Sequence, residues 1–274
     1  MPTFATPGPV ALTVVVAGAK VRVNATDRVD TTVAVEAVNP ADPSHVKVAE
    51  KTKVDFAAGQ LSVKTTTSGE NSGSVAITIN LPAGSSLVSY LAHSDVRAHG
   101  SLGECELHLA SGRIALDRIT NLRANIAGGD VTIDRIGECA TVDGARFALR
   151  IGEVGGAVKL SSSAGQVRIG HAAADLDLSS GNAGFDIDRA DANATVKTGT
   201  GAIRIGQLAA GHADLANHAG NIDIGVNPAS AAAVDADSTK GSVYNFLPPI
   251  QNPDNKVTVR ARTRNGDITI APAR

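Results

Sequence analysis

Asp175, Asp177, Asp186, Asp188 and Asp191 form the densest group of carboxylates in this 274-residue chain. Carboxylates gathered on one face can hold a divalent cation or move protons on an acidic polysaccharide. Asp186 and Asp188 lie two residues apart, on one side of an extended strand, and are the pair a cation would use. A second group is hydroxylic: Ser161, Ser162 and Ser163, then Ser179 and Ser180, then Thr198 and Thr200. With Asp175 and Asp177 beside them, Ser161, Ser162, Ser179 and Ser180 could hydrogen-bond a glycan. Each group also has a plainer reading, and it is the preferred one. The carboxylates alternate with Arg168 and Arg204 in a surface charge ladder, and the hydroxyls bond one another and the turns between strands.

Other chemistries find less support. A calcium-binding β-roll needs Gly-Gly-x-Gly-x-Asp in consecutive half-coils, and Gly181-Asn182-Ala183-Gly184-Phe185-Asp186 stands alone. Zinc needs three or four converging ligands, yet His45, His93, His99, His108, His171, His212 and His218 share no position in the repeat described next. No Gly-x-Ser-x-Gly and no phosphate loop occurs. The expected catalytic residues, resident metal and cofactors are therefore none. With no Trp and only Tyr90, Tyr244 and five Phe, the chain is poor in the aromatic platforms that sugars and single-stranded nucleic acids use.

These side chains must be positioned by a repeat. Apolar pairs recur as Val96/Ala98, Ile114/Leu116, Val131/Ile133, Leu149/Ile151, Val167/Ile169, Phe185/Ile187, Ile203/Ile205 and Ile222/Ile224, with a ninth position at Val243/Asn245. From Leu149 through Val167 and Phe185 to Ile203 every step is 18 residues. Within a unit the apolar offsets are 0, 2, 5, 9 and 11, as in Val167, Ile169, Ala172, Leu176 and Leu178. That is two period-2 strands with a lone inward residue between them, and no helix satisfies it. Glycines such as Gly112, Gly129, Gly165, Gly201, Gly220 and Gly266 stand two residues ahead of each first strand, where a coil must turn. Stacked coils with parallel strands about 4.8 Å apart follow. His212 falls at an inward offset beside Ala213, which points to a one-residue slip there.

Residues 1–92 lack this register but alternate as strands at Leu12-Val14-Val16, Val21-Val23, Val33-Val35, Val54-Phe56, Leu61-Val63 and Val75-Ile77-Ile79. Asn39 to Ser44 is a turn with a helix cap, and one short helix is expected over 45–53. Ser68 to Gly73 reads as a polar loop. At the far end, Leu247 to Lys256, with Pro248, Pro249 and Pro253, reads as an excursion before a final coil at Val257-Val259-Ala261 and Gly266 to Ile270. The expected organisation is a strand-rich cap over 1–92 that covers the first coil, continuous with a solenoid over 93–274.

A net charge of -2 argues against a general polyanion binder, so no nucleic acid is expected. No apolar run approaches the length of a membrane-spanning helix. The N-terminus has no charged segment followed by an apolar stretch, so the cytoplasm is the expected location, with the cell surface as the alternative. Cys105 takes an inward offset and Cys139 does not. Two coils, about 9–10 Å, separate them, too far for a disulfide, and two free thiols are expected.

The opening Met1-Pro2-Thr3-Phe4, Ala11-Leu12-Thr13-Val14, Leu81-Pro82-Ala83-Gly84-Ser85-Ser86-Leu87, Gly128-Gly129-Asp130-Val131-Thr132-Ile133 and the closing Thr263-Arg264-Asn265-Gly266-Asp267-Ile268-Thr269-Ile270 resemble the bacterial putative-adhesin family of β-strand repeat proteins. The likeness runs nearly end to end and is carried by turn glycines and core aliphatics. It implies an all-β, right-handed parallel β-solenoid and transfers no catalytic residue. Phe147, in place of a turn glycine, and Asn245 depart from the pattern. The resulting expectation is a non-enzymatic interaction or scaffold protein whose partner is a protein or a surface glycan, with self-association through the solenoid ends also open. The rival is a carbohydrate- or divalent-cation-binding β-helix.

Overall fold

Alternation of aliphatic and polar residues, broken by glycine corners, produces twenty-three strands and one helix in the computed structural model, which describes residues 2–65, 74–248 and 255–273. The loop expected over Ser68 to Gly73 and the prolines Pro249 and Pro253 lie outside the described residues. Two compact units, Met1–Arg135 and Ile136–Arg274, divide the chain.

In the first unit the elements run β1 (Thr3–Ala5), β2 (Ala11–Ala17), β3 (Ala19–Thr26), β4 (Asp30–Ala37), α1 (Pro43–Lys51), β5 (Lys53–Ala57), β6 (Gln60–Lys64), β7 (Val75–Pro82), β8 (Ser86–Ala92), β9 (Ser94–Ser101), β10 (Glu104–Leu109), β11 (Gly112–Ile119) and β12 (Asn121–Ile136). Two parallel ladders carry the core. One aligns Leu61, Leu12, Leu87, Cys105 and Leu122 from β6, β2, β8, β10 and β12, all buried. The other aligns Ile77, Val21, Val96 and Ile114 from β7, β3, β9 and β11. The N-terminal pair β2–β3 is thus a coil seated between the coil β6–β7 and the coil β8–β9. Beyond β6–β7 the direction reverses: β5 pairs antiparallel with β6, β4 with β7, and β1 with β4. Phe4 stacks on Phe56 at 4.8 Å over this closure. The helix starts two residues earlier than the sequence suggests, because Pro43 occupies its first turn and Asp42 caps it by accepting from the Ser44 amide.

The second unit continues with β13 (Ala140–Val154), β14 (Val158–Ala172), β15 (Leu176–Ala190), β16 (Ala194–Thr200), β17 (Ile203–Leu208), β18 (Gly211–Ala219), β19 (Ile222–Val226), β20 (Ser230–Ser238), β21 (Val243–Asn245), β22 (Asn255–Asn265) and β23 (Ile268–Pro272). Leu149, Val167, Phe185, Ile203, Ile222 and Ile268 are register partners in one buried column. A second column aligns Leu178, Val196, Leu215 and Ala261. The slip falls where His212 indicated: Ala194 pairs with Ala213, and His212 is turned out to solvent.

The order of the last coils differs from the expected one. β22 pairs with both β18 and β20, and β23 with both β19 and β21. The final coil of the sequence therefore sits one layer in, and β20–β21 is outermost. Val243 keeps its register opposite Ile268 but is 41% exposed, since among the described residues no further coil covers it. Placing β22 inside gives both its edges hydrogen-bond partners and buries Val257, Val259 and Ala261 completely.

Close approach of the coils explains the glycine corners. A Cβ on Gly165 (φ +137°) would lie 1.9 Å from the Phe147 carbonyl oxygen of the preceding coil. Phe147 itself turns its ring into the core at that corner and is buried.

Candidate binding surfaces

On the outer wall of the second unit, the register places Asp186 between Arg168 on β14 and Arg204 on β17. Arg204 Nη1 lies 2.5 Å from Asp186 Oδ1 and 3.1 Å from Asp188 Oδ1, while Arg168 Nη2 lies 3.4 Å from Asp188 Oδ2. The hydrogen bond to Asp186, then that to Asp188, pushes the Arg204 guanidinium above its ordinary pKa. Both carboxylates are thus bracketed by guanidinium groups, and the positive charge a cation would bring is already supplied. Asp175 caps the next turn, accepting the Asn193 amide at 3.1 Å, and Asp177 stands exposed in register with Lys159.

Asp191 gathers a second polar cluster, 2.7 Å from His171 Nε2 and 2.7 Å from Arg189 Nε. Burial raises its carboxyl, but hydrogen bonds from Arg189 and His171 outweigh that and leave it below the usual range. Sequence reasoning treated His171 as scattered. The signal was available, because His171 and Arg189 are one 18-residue step apart and stack in register. Among the described residues no three His, Cys, Asp or Glu side chains converge as a metal site.

The serines do come together. Ser161 pairs with Ser179 and Ser162 with Ser180 across β14–β15, and Ser162 Oγ donates to Ser180 Oγ at 2.9 Å. They line a shallow depression of about 490 Å³ with Lys197, Thr198 and Asn217. Its inner margin is a polar column buried under the glycine corners. Thr198 Oγ1 donates to the Ala183 carbonyl at 3.0 Å, Asn217 Nδ2 to the Gly201 carbonyl at 2.9 Å, and Thr263 Oγ1 to the Gly220 carbonyl at 3.3 Å. These hydroxyls and amides satisfy corner carbonyls that the strand ladders leave free. A neighbouring concavity of about 470 Å³ is floored by Gly206 and Gly225 and walled by Asp188, Arg204, Gln207 and Asp223.

The first unit carries a surface that the sequence did not announce. Tyr90 and His108 project outward from β8 and β10 as register partners and stack at 4.5 Å with rings parallel. Glu106 holds His108 Nε2 at 2.8 Å. The rings border a groove of about 580 Å³ whose floor includes Val15, Ala17, Ala92 and Ala110. Their separation of 18 residues was the available clue. Cys105, inward as expected, is buried, and that burial pushes its thiol up to about 12. Cys139 is exposed, and neither cysteine forms a disulfide.

The family model for Toastrack DUF4097 matches residues 11–271. The chain belongs to the Toastrack DUF4097 family. That membership agrees with the resemblance read from the corner glycines and core aliphatics, and with the all-β, mostly parallel architecture. Solved structures similar to this Toastrack chain include a putative adhesin from Parabacteroides merdae, 9% identical with a TM-score of 0.45, covering 98% of this chain and 94% of that one. A putative adhesin from Bacteroides fragilis is 12% identical with a TM-score of 0.34, covering 98% and 95%. A putative lipid binding protein from Parabacteroides distasonis is 12% identical with a TM-score of 0.42, again covering 98% and 95%. No curated protein matches the chain. Among the described residues no helix is long and apolar enough to cross a membrane.

Proposed function

We propose that this Toastrack chain is a non-enzymatic interaction scaffold, a right-handed β-solenoid of about 18 residues per coil that presents a rigid outer wall to a protein or glycan partner. The hand is the one favoured for connections between parallel strands. Residues 1–92 act in this reading as the cover of a repeat region over 93–274. One observation carries the functional part: the chemistry-bearing side chains of the wall are neutralised by partners in the wall itself, Asp186 and Asp188 by Arg168 and Arg204, Asp191 by His171 and Arg189. A catalytic acid or base needs a shifted, accessible group facing a substrate, and a paired ladder offers rigidity instead. The two thiols are in keeping with a reducing compartment such as the cytoplasm.

A glycan is the second reading, favoured by the depression over Ser161, Ser162, Ser179 and Ser180, where Ser161, Ser179 and Lys197 face outward as register partners. The test is a panel of neutral and acidic polysaccharides assayed for both binding and cleavage. Binding without turnover, weakened in Ser161→Ala/Ser179→Ala, supports the glycan reading. Turnover of any member would overturn the non-enzymatic one. Calcium at millimolar level is expected to leave the melting temperature unchanged, and a rise abolished by Asp186→Ala or Asp188→Ala would assign those carboxylates to a cation after all.

A further inference from the structure

We infer that the outer edge of β20 is a self-association site, pairing antiparallel with β20 of a second copy about a two-fold axis through Val234. The inference does not depend on which ligand the walls take. Among the described residues β20 has a strand partner on one side only, β22, over an unbroken register from Ser230/Asn255 to Ser238/Thr263. The outward-turned amides and carbonyls of alternate residues along this nine-residue strand therefore have no strand partner among the described residues. Proteins ordinarily blunt such an edge with a bulge, a proline, a lysine or a covering strand. β20 has no bulge, no proline and no lysine in Ser-Ala-Ala-Ala-Val-Asp-Ala-Asp-Ser.

The inward row of this coil is also unfinished. Ala232, Val234 and Ala236 stay half-buried, whereas their partners Val257, Val259 and Ala261 one layer in are fully buried. Val243, Tyr244 and Phe246 on the adjoining side are 41%, 45% and 62% exposed. A second coil laid on this end would complete that core with the same small side chains.

The charge pattern selects a copy of the same strand as the occupant. Centred on Val234, antiparallel pairing sets Asp235 opposite Ala233 and Asp237 opposite Ala231, so no two carboxylates face each other. Asp235 is moreover drawn back by Arg262, whose Nη2 lies 2.6 Å from Oδ2 and whose Nη1 donates to the Asp235 carbonyl at 2.7 Å. That leaves space over the alanine of the partner. Such a two-fold contact is isologous and closes at a dimer, so it does not propagate into a fibre.

Ala233 is exposed and points outward, which makes it a position where charge can be added without touching the core. In sedimentation velocity across a concentration series, the full chain is expected to show a reversible monomer–dimer equilibrium. Ala233→Asp sets two like-charged pairs across the axis and is expected to weaken the dimer about fivefold, while Ala233→Lys sets two opposite-charged pairs and tightens it by a similar factor. Melting temperatures of both variants should match the parent. A chain that stays monomeric up to millimolar concentration overturns the inference, as would a dimer on which the two substitutions act equally or not at all.

Discussion

The outermost coil of the first unit, β6–β7, and that of the second, β20–β21, are built by the same device and finished differently. In each unit a terminal stretch of chain is inserted one layer in: β2–β3 lies inside β6–β7, and β22–β23 lies inside β20–β21. The first outer coil is then closed by antiparallel strands β5 and β4, which satisfy its backbone and leave Leu61, Val63, Ile77 and Ile79 at 1% exposure or less. The second receives no such strand among the described residues, and its inward positions stay open. Burial at a coil end is therefore decided by the neighbour laid upon it, because the residues themselves follow the same alternation in both places.

The largest expected effect tests that difference directly. Ile77→Ala in the closed coil should cost about 2–5 kcal/mol in urea unfolding. Val243→Ala in the open coil should cost less than about 1 kcal/mol, since less apolar area leaves water there in the parent than at Ile77. Equal losses would dissolve the comparison. Next come the glycines. A Cβ at Gly100 (φ +93°) would lie 1.9 Å from the Ala25 carbonyl oxygen, between two coils held on both sides. Gly100→Ala should therefore lose about 1–3 kcal/mol or more. A Cβ at Gly241 meets the Gly266 carbonyl oxygen at a similar 2.0 Å, but its coil is outermost and can lift away, so Gly241→Ala is expected to melt closer to the parent.

Thiol chemistry separates the units by rate. Cys139 in the second unit should react with a neutral thiol reagent in the folded protein, and Cys105 in the first only after denaturant is added, its thiol being buried and held protonated. Two thiols reacting at the same rate in the native protein would place Cys105 at the surface. The smallest effect is electrostatic. Asp191 has a folded pKa below its unfolded value, so its contribution is complete above the ordinary carboxylate range and is lost as the pH falls through the lower folded value. Asp191→Asn should cost about 0.2–1 kcal/mol at neutral pH, as expected for a partly exposed cluster still screened by solvent, and the difference from the parent should close on acidification.

Much of the wall was legible because its period is short and strict. Offsets 0, 2, 5, 9 and 11 named the buried residues of β14 and β15, and the slip near His212 was visible as a polar residue at an inward position. The charge ladder of Arg168, Asp186 and Arg204 was equally readable, since register partners are 18 residues apart. The His171–Asp191–Arg189 cluster was readable only in the 18-residue step that stacks His171 on Arg189. Its chemistry depends on side chains reaching across neighbouring strands to one carboxylate, and the offsets of single histidines do not show that. The stack of Tyr90 on His108 lies on the outward face, on which the apolar offsets of the core carry no information.

The chain by itself determined which side chains face inward, where corners demand glycine, and that a capped turn within Asn39 to Ser44 leads into a short helix. Those choices are local, set by strand alternation, steric contact at a corner and the geometry of a cap. Only the tertiary structure decided which coil lies beside which, as in the Val10 amide bonding Ser85 from 75 residues away and the Asp267 amide reaching Asn221 across 46. Every coil offers its neighbours the same backbone donors and acceptors, and closing a longer loop costs only slightly more than closing a short one. Neighbours distant in sequence thus compete on nearly equal terms with the next coil along the chain, and complete burial of both edges of β2–β3 and β22–β23 settles the order.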